Sequence, residues 1–554
     1  MRRVRYLLML LAIAACDDPA SAPVPTQLTV AGGGQTGAAG AALPQPLVAR
    51  VTDEDGDPIR GVTVRWTVSA GTVTPDSVRT DEQGEARAVW TLGGAVGAQT
   101  ATATVTGLNP ASLTATAGPA AAAQVVARPD SLAFSLPGDT ATVRVTAADR
   151  FGNAVGVAFT SLDPAVASVT AEGVVRATGN GTTRIVITSG AVADTVPVRV
   201  RIAAFASVSA GINHSCGVTA EGEAFCWGSG AFGILGNGDT SDRYAPTRVA
   251  GPVRWAAVSA GFQHTCGLST DGELYCWGYN DVGQLGTGEE GGSRNEPTRA
   301  ATDVRFTRVS VGGKHSCAIA TTRRMYCWGT DAAGQLGNGM SAGRATAPTL
   351  TAEELVFREV SAGSEHTCAV TTLQRVNCWG ANPSGQLGDS TRAQRQSPVP
   401  TDERSYATVS AGASHSCAIT TEGGAFCWGS NNQGQLGTGS TLDVDRPTAV
   451  ADGRRYSRIS AGSDHSCGVD VDGVALCWGR NANGQLGTGT SADSRTPAPV
   501  AAPASFRGVS AGARHSCGVL ASGAVMCWGL NSSGQLGTGT DSPSNVPVRT
   551  AAPR

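Results

Sequence analysis

The sequence predicts an all-β protein in which two N-terminal β-sandwiches precede a seven-bladed β-propeller. Three observations predict the propeller. A motif recurs seven times in the C-terminal part of the chain, with successive copies 49 to 51 residues apart. Fourteen of the fifteen cysteines form seven pairs spaced ten residues apart, and seven of the ten tryptophans directly follow the second cysteine of a pair. All seven histidines occupy one position of the motif: His214, His264, His315, His366, His415, His465 and His515. A period near fifty residues with strand patterning is typical of propellers and repeat arrays.

Each copy of the motif begins with the pattern of a β-hairpin. In His214–Val218, every second residue would lie on one face of a strand. Glu221-Gly222 supplies a turn, and Ala224–Trp227 returns as the next strand. The centre of this turn places Cys216 opposite Cys226. Constant spacing within a pair is what two directly opposed cysteines require, because one inserted residue would turn a side chain to the other face.

Two further strands complete the unit. Residues 255–259 precede the second copy of the motif as a strand, and residues 245–249 follow the first copy as an outer strand. Pro246 is tolerated there because an edge strand does not need every N–H group. Four short strands are the content of one propeller blade, so seven units would close a ring of seven blades.

The repeated residues resemble a known family. The pattern Ala-Gly-x-x-His-Ser/Thr-Cys, Cys-Trp-Gly and Gly-Gln-Leu-Gly is similar to the regulator of chromosome condensation repeat, and the resemblance covers residues 204–554. It implies a seven-bladed β-propeller. The family includes a nuclear nucleotide-exchange factor, ubiquitin-ligase modules and a secreted β-lactamase inhibitor, so it implies no single activity. Unit one departs from the pattern twice, with Gly233-Ile-Leu-Gly236 in place of Gly-Gln-Leu-Gly and with Gly230 where most of the other units carry Asn. Cysteine pairs in every blade are also not a feature of the nuclear protein.

The N-terminus has the features of a targeting segment. Three arginines in the first five residues precede an apolar run over residues 6–15, which is too short to span a bilayer and fits a signal peptide over residues 1–15. The run ends in Ile13-Ala-Ala-Cys16, which resembles the processing box of bacterial lipoproteins and implies that Cys16 is acylated. The alternative is an ordinary signal peptide that is cut nearby. Residues 16–25 are expected to form a tether.

Two sandwich domains are expected between the tether and the repeats. Residues 26–119 alternate apolar and polar residues between frequent turns, as in a β-sandwich. Their pattern around residues 51–66 and 80–93 resembles the group 1 bacterial Ig-like domain of invasin-type adhesins. Residues 120–203 repeat this style and resemble the group 2 bacterial Ig-like domain. Both families are common as spacers and adhesive modules on bacterial surfaces.

The cysteine pairs have two interpretations. In an exported protein, directly opposed strand cysteines form disulfides, and each would close a loop of about eleven residues. The alternative is zinc, because the His and two Cys of each unit share a face and are ligand types that zinc accepts. Export and sevenfold repetition favour disulfides. The expected pairs are Cys216–Cys226, Cys266–Cys276, Cys317–Cys327, Cys368–Cys378, Cys417–Cys427, Cys467–Cys477 and Cys517–Cys527.

Other repeated residues are expected to be structural. A histidine in every blade is expected to satisfy backbone groups at a strand bend, and the tryptophans to pack between blades with each N–H needing a partner. The Gly-Gln-Leu-Gly runs lack the ending of a phosphate-binding loop and are expected to be turns. Asp53, Asp55 and Asp57 suggest a calcium loop, but Val64 stands where a bidentate Glu would sit, so a turn is favoured.

The remaining evidence favours binding without catalysis. The net charge of −3 disfavours a nucleic-acid partner, and no histidine lies outside the repeats to support a catalytic site. We expect no cofactor and no metal. The expected protein is monomeric and lipid-anchored in the bacterial envelope, surface-exposed or periplasmic, and its propeller binds a protein or a glycan. Loops specific to single units are the expected binding surface, since loops carry variation on a rigid scaffold. They contain Glu289, Glu290, Arg294, Arg392, Arg395, Asp443 and Asp445. The alternatives are an enzyme or an enzyme inhibitor of the envelope, and nucleotide exchange implied by the family name alone.

Overall fold

The computed structural model describes residues 22–135, 138–201, 203–340, 343–502 and 504–553. The chain divides into two compact units, residues 1–201 and 202–554. Cys16, the predicted acylation site, lies outside the described residues. No helix in the described ranges is long and apolar enough to cross a membrane.

The first unit begins with two β-sheets that pack face to face. One sheet has the strand order β1-β3-β7-β5 and the other β2-β9-β8-β4-β6. Strands β4 and β7 alternate buried and exposed residues, and their inward side chains include Trp66 and Trp90 in one shared core. The strands are β1 (Gln27–Ala31), β2 (Thr36–Ala38), β3 (Leu47–Thr52), β4 (Thr63–Val68), β5 (Thr72–Thr74), β6 (Ser77–Arg79), β7 (Glu85–Thr91), β8 (Gly97–Thr104) and β9 (Ala111–Gly118).

The described residues in the rest of the first unit form three sheets, of two, four and three strands. Their strand orders are β10-β13, β11-β18-β17-β14 and β12-β16-β15. The sequence pattern over residues 140–149 looks continuous, but the structure divides it at buried Val143 between β12 and β13, which belong to different sheets. The strands are β10 (Ala122–Arg128), β11 (Leu132–Phe134), β12 (Thr140–Thr142), β13 (Arg144–Asp149), β14 (Ala158–Ser161), β15 (Ala167–Val169), β16 (Val174–Ala177), β17 (Gly181–Ser189) and β18 (Val192–Val200).

The described residues of the second unit form seven four-stranded antiparallel sheets, each built from four consecutive strands. We call each sheet a blade and number the blades in chain order. Blade 1 has β19 (Phe205–Ala210), β20 (His214–Thr219), β21 (Ala224–Gly228) and β22 (Arg243–Arg248), and blade 2 has β23 (Trp255–Ala260), β24 (His264–Ser269), β25 (Leu274–Tyr279) and β26 (Ser293–Arg299). Blade 3 has β27 (Phe306–Val311), β28 (His315–Ala320), β29 (Met325–Thr330) and β30 (Arg344–Thr351), and blade 4 has β31 (Phe357–Ala362), β32 (His366–Thr371), β33 (Val376–Gly380) and β34 (Arg395–Pro400). Blade 5 has β35 (Tyr406–Ala411), β36 (His415–Thr420), β37 (Ala425–Gly429) and β38 (Val444–Ala449), and blade 6 has β39 (Tyr456–Ala461), β40 (His465–Asp470), β41 (Ala475–Gly479) and β42 (Ser494–Pro499). Blade 7 has β43 (Phe506–Ala511), β44 (His515–Leu520), β45 (Val525–Gly529) and β46 (Ser544–Arg549).

The hairpin register follows from the spacing of the cysteines. In blade 1, Cys216 lies directly opposite Cys226, and the same pairing recurs in each of the other blades. The turn between them closes through a hydrogen bond from the Gly222 N–H to the carbonyl of Thr219. Both faces of β20 are buried, because blades stack on either side of it.

The blades close into a ring. First strands of neighbouring blades contact one another, and β19 of blade 1 contacts β43 of blade 7 as well as β23 of blade 2. Each inter-blade core combines the cysteines of one blade with the tryptophan of the next, as where Cys368 and Cys378 pack with Leu387, Tyr406 and Trp428. The fold is therefore all-β and propeller-like in this unit.

The two ends of the ring differ. The first turn of a blade and the loop between its third and fourth strands lie at one end, since the Ser229 N–H donates to the carbonyl of Asn213. We call this the long-loop end, and the opposite one, which carries the hairpin turns such as residues 220–223, the short-turn end. In blade 1 the long loop contains a 3₁₀ turn, Ala231–Gly233.

Candidate functional site

The fourteen repeat cysteines are joined in the seven pairs that the spacing predicts. Every one of these residues is 0% exposed, and the Cα atoms of each pair are 4.0 to 4.1 Å apart. The two sulfur atoms of each pair are bonded to each other, which favours the disulfide interpretation over zinc, because zinc binds thiolates.

Each repeat histidine joins two blades. The Nε2 atom lies 2.7 to 2.9 Å from the hydroxyl of the Ser or Thr that follows the histidine of the next blade, and the seventh bond returns from His515 to Ser215. The prediction that these histidines satisfy backbone groups is wrong. It failed because the partner lies about fifty residues away, where only ring packing brings it close.

The hydrogen bonds fix the tautomer of these histidines. Each Ser or Thr hydroxyl also donates to a backbone carbonyl of the preceding blade, as Ser416 does to Gln386 at 2.9 Å. Its oxygen must then accept a hydrogen bond from Nε2–H, so in the neutral imidazole the proton is on Nε2 and Nδ1 carries the lone pair. Within the described residues, Nδ1 has no hydrogen-bond partner in any of the seven.

Burial keeps the histidines neutral. It lowers the pKa to about 4 for His214, His366 and His465. For the other four, burial and the neighbouring histidines lower the pKa to about 3; they are His264, His315, His415 and His515. Because the seven histidines are neutral, buried and hydrogen-bonded between blades, we assign them a structural role.

The tryptophans use the same carbonyl. Trp428 Nε1–H donates to the Gln386 carbonyl at 2.9 Å, which therefore accepts from both Trp428 and Ser416. The equivalent bond is present at every other blade boundary. Gly388 lies against the indole, and a Cβ there would be 2.7 Å from Nε1, so this position requires glycine. The predicted inter-blade packing of the tryptophans is what the structure has.

The first strands of the blades are also linked around the ring. The serine of each Val/Ile-Ser-Ala/Val segment accepts an N–H from the next blade through Oγ at 2.9 to 3.1 Å. These serines were not among the residues predicted from the sequence, and neither was the Ser/Thr that follows each histidine. Their presence in every copy of the motif was the signal that could have identified them.

The central cavity offers little chemistry. At the long-loop end it has a volume of about 150 Å³ and is lined almost entirely by Gly, Ala and Ser. The exceptions are Phe262 and Val311. At the short-turn end, a larger depression of about 680 Å³ contains Arg404, Arg454 and Asp452. Arg454 is paired there with Asp470.

The predicted binding residues lie at the long-loop end. Glu289 and Glu290 are exposed, and their carboxylates pair with Arg294 at 3.1 Å and Arg344 at 2.9 Å. These residues belong to the loop after β25 and the strands around it. Their exposed carboxylates remain accessible to a partner.

The other predicted binding residues are less uniform. Arg392 is exposed, but Arg395 is tied to the nearly buried carboxylate of Asp389 at 2.7 Å. Asp443 Oδ1 accepts the Asn431 N–H at 2.8 Å, and the Asp445 carbonyl accepts the Ser390 N–H. Asp443 and Asp445 thus hold loops in place.

The aspartates of the first unit shape turns. Asp53 Oδ1 accepts the N–H groups of Asp55 and Asp57. Asp149 does the same for Phe151 and Asn153. Burial alone would raise the pKa of Asp149, but hydrogen bonds from Asn153, Ala120 and Phe151 lower it to about 2. The Asp53 loop has the turn role that the sequence favoured over calcium, and the Asp149 loop is built in the same way.

The family models that match this chain match within residues 205–553, which belong to the second unit. A model described as the RCC1-like domain matches residues 346–553, and two models of the regulator of chromosome condensation (RCC1) repeat match within residues 205–335. The repeats of this chain are RCC1 repeats. The ultraviolet-B receptor UVR8 of Arabidopsis thaliana is 32% identical over 195 residues, which is 34% of this chain and 44% of the receptor. The probable E3 ubiquitin-protein ligase HERC4 of Rattus norvegicus is 32% identical over 102 residues, which is 18% of this chain and 10% of the ligase.

Two solved structures share the fold of the RCC1 repeats. Yeast RCC1 (Prp20), in its complex with Kap60, has a TM-score of 0.54 at 23% identity, covering 59% of this chain and 83% of its own. Human WBSCR16 has a TM-score of 0.53 at 22% identity, covering 59% of this chain and 89% of its own. At this identity the likeness shows an RCC1-like propeller fold alone. This chain spans less than half the length of UVR8 and HERC4.

Proposed function

We propose that this protein is an exported, non-catalytic binding protein whose seven-bladed propeller head binds a protein or a glycan of the cell envelope. The observation that carries the proposal is the buried disulfide in every blade. Disulfides persist in oxidising compartments, and a reducing cytosol would leave fourteen thiols in the core. The repeated His, Ser/Thr and Trp side chains are already used in joints between blades, which leaves the unit-specific loops for a partner.

The same proposal assigns the rest of the chain. Residues 1–15 are a signal peptide, Cys16 carries the lipid, and residues 16–25 are a tether. Residues 26–119 and 120–203 are bacterial Ig-like domains that form a stalk. Two or three acyl chains on Cys16 would hold the protein stably on a membrane.

The anchor is tested by Cys16→Ala in cells that express the full chain. We expect the variant to leave the membrane fraction or to accumulate as an unprocessed precursor. Mass spectrometry of the wild type should find an acylated Cys16 at the mature N-terminus. An unmodified N-terminus elsewhere would contradict the lipid anchor while leaving export intact.

The binding surface is tested with the intact, oxidised protein and envelope fractions of its source cells. We expect Glu289→Ala/Glu290→Ala and Arg392→Ala to weaken retention on the envelope at least severalfold while thermal melting stays nearly unchanged. Glu353→Ala/Glu354→Ala is the matched control, since this exposed acidic pair lies at the short-turn end. If only substitutions at the His-x-Cys positions reduce retention, the loops are not the binding surface.

A further inference from the structure

Three aromatic residues lie in neighbouring segments of blades 1 and 2 at the long-loop end. They are Phe232 of blade 1 and Phe262 and Tyr279 of blade 2, and we call them the aromatic platform. The Phe232 and Tyr279 ring centroids are 4.7 Å apart. Tyr279 N–H donates to the carbonyl of Gln263, the residue that follows Phe262, and Phe262 lines the central cavity.

The platform is specific to this sector. In the other units the aligned positions carry aliphatic, small, polar or charged residues. The counterparts of Phe232 are Val282, Ala333, Ser384, Gln433, Asn483 and Ser533. The counterparts of Phe262 are Ile212, Gly313, Ser364, Ala413, Ser463 and Ala513, and those of Tyr279 are Ser229, Thr330, Ala381, Ser430, Arg480 and Leu530.

The local sequence of unit one creates the platform. In five of the other six blades an Asn begins the loop, and in blade 3 an Asp does. In blade 4 this residue is Asn382, and its Oδ1 accepts the Leu387 N–H. Blade 1 has Gly230 there, and a Cβ would lie 2.2 Å from the Ser241 carbonyl oxygen, so the loop is packed around the missing side chain. The chain instead forms the 3₁₀ turn Ala231–Gly233 and presents Phe232 against Tyr279.

Phe232 is kept in a conformation that a bulky residue rarely adopts. Its φ of 61° and ψ of 7° lie in the left-handed region, and 42% of the residue is exposed. The contact between blades 1 and 2 does not depend on Phe232, because the Ile234 carbonyl accepts the hydrogen bonds from Thr265 and Trp277 at this boundary. Backbone strain together with an exposed aromatic ring is the kind of arrangement that persists where a ligand uses it.

We propose that the aromatic platform binds a glycan, with the C–H face of a sugar ring stacked on Phe232 and Tyr279. This inference rests on the proposed binding function and names its ligand class and its site. The exposed carboxylate of Asp281, which accepts from the Tyr279 hydroxyl, has lone pairs left for sugar hydroxyls beside the rings.

The surroundings favour a sugar over a peptide. A sugar ring has one apolar face and a polar rim, which matches a flat ring pair with a carboxylate at its edge. An apolar peptide side chain would need a deep pocket. The neighbouring cavity within the described residues offers only about 150 Å³ lined mostly by Gly, Ala and Ser.

The experiment is affinity electrophoresis of the intact, oxidised protein in native gels that contain hydroxyethylcellulose, glycol chitin, laminarin or mannan. The platform variants are Phe232→Asn, which tolerates the left-handed backbone, and Tyr279→Ala. Tyr244→Ala is the matched control, because Tyr244 is 41% exposed but packs against Gly534 of blade 7. Circular dichroism and thermal melting check that each variant is folded.

We expect at least one polysaccharide to retard the wild type and Tyr244→Ala, and the apparent association constant to fall at least tenfold in both platform variants. No retardation of the wild type by any of the four overturns the proposal. Unchanged retardation of Phe232→Asn overturns it as well. If the platform variants instead lose an envelope protein, the ligand is a protein and the glycan assignment is wrong.

Failure of this inference can be distinguished from failure of the proposed function. Envelope retention that depends on Glu289 and Glu290 but not on the platform would overturn the inference and support the proposed function. If the wild type is not retained on the envelope but still binds a polysaccharide, the proposed envelope function is wrong and the glycan assignment of the platform is supported.

Discussion

His366 is 0% exposed, its Nε2–H is committed to Ser416, and Ser416 is committed in turn to the Gln386 carbonyl. A proton on Nδ1 would place a positive charge at a buried position that is repeated in all seven blades. Burial therefore opposes protonation, and the cost falls on stability because the unfolded chain takes up the same proton freely.

The first prediction concerns pH. The folded-state pKa of each repeat histidine is about 3 or 4, below the ordinary value of 6.5. Between these values the unfolded state binds more protons, so stability should be complete above pH 6.5 and should fall as the pH drops below it. Each histidine contributes up to about 1.4 kcal/mol per pH unit in that window. Guanidinium unfolding between pH 5 and 7.5 measures the slope.

Variants in which a single repeat histidine is replaced are the control for this pH dependence. His366→Gln should lower stability at every pH and reduce the proton uptake on unfolding by about one. If the free energy of unfolding of the wild type does not change between pH 5 and 7, the seven repeat histidines are not buried in the neutral form.

The second prediction concerns the disulfides. Replacing both Cys417 and Cys427 by Ser should cost about 2.5 to 3 kcal/mol in the free energy of unfolding, because a loop of about eleven residues is no longer closed in the unfolded chain. Blade register should remain, since the β36–β37 strand pairing does not depend on the bond. Guanidinium unfolding at pH 7.5 measures the cost.

Full reduction is the comparison for the disulfide prediction. Breaking all seven bonds should lower stability far more than the single paired variant does. Peptide mapping of unreduced protein should find the seven ten-residue pairs. Free thiols at most of these positions would show that the bonds are not formed in the exported protein.

At the scale of the element, the long loop is held by its first residue. Asn382 is 1% exposed, its Oδ1 accepts the Leu387 N–H, and its Nδ2 donates to the carbonyls of Thr391 and Ala393. Blade 1 replaces this arrangement by a glycine and a short 3₁₀ turn. The same loop position therefore has two solutions within one ring.

The third prediction follows from these two solutions. Gly230→Asn would restore the residue found in other blades, yet it should destabilise the protein by about 1 to 3 kcal/mol. The added Cβ would collide with the Ser241 carbonyl at 2.2 Å. Asn382→Ala is the companion variant and should also destabilise, by about 1 to 3 kcal/mol, because buried groups lose their partners. A rise in melting temperature for Gly230→Asn would contradict the structure of this loop.

At the scale of the whole molecule, stability depends on closure. The last blade is joined to the first by His515 to Ser215, by Ser510 to Ala210 and by Trp227 to Gln535. These are the contacts found at every internal boundary. An open ring would expose the aromatic and cysteine-rich faces of two blades.

The fourth prediction tests closure. Residues 203–554 alone should fold and melt in one cooperative transition, because they form a compact unit. Removing blade 7, residues 505–554, should abolish that transition, because Trp227 loses its carbonyl partner and its packing. Differential scanning calorimetry and limited proteolysis measure both. A cooperative, protease-resistant six-blade product would show that the ring contacts are not required.

The sequence by itself determined the repeat, the four-strand unit, the cysteine pairing and the inter-blade tryptophans. These are set by short-range order, because period-two alternation and a tight turn decide which side chains face each other within a hairpin. Only the tertiary structure decided the partners of the histidines, the double use of the Gln386 carbonyl and the division of residues 140–149 between two sheets. These contacts join residues far apart in the chain, and a single sequence does not encode them as a local pattern.

The aromatic platform was also decided only by the tertiary structure. Gly230 was visible as a departure from the repeat, but the collision that makes it a glycine, and the ring of Tyr279 beneath Phe232, exist only when two blades are packed together.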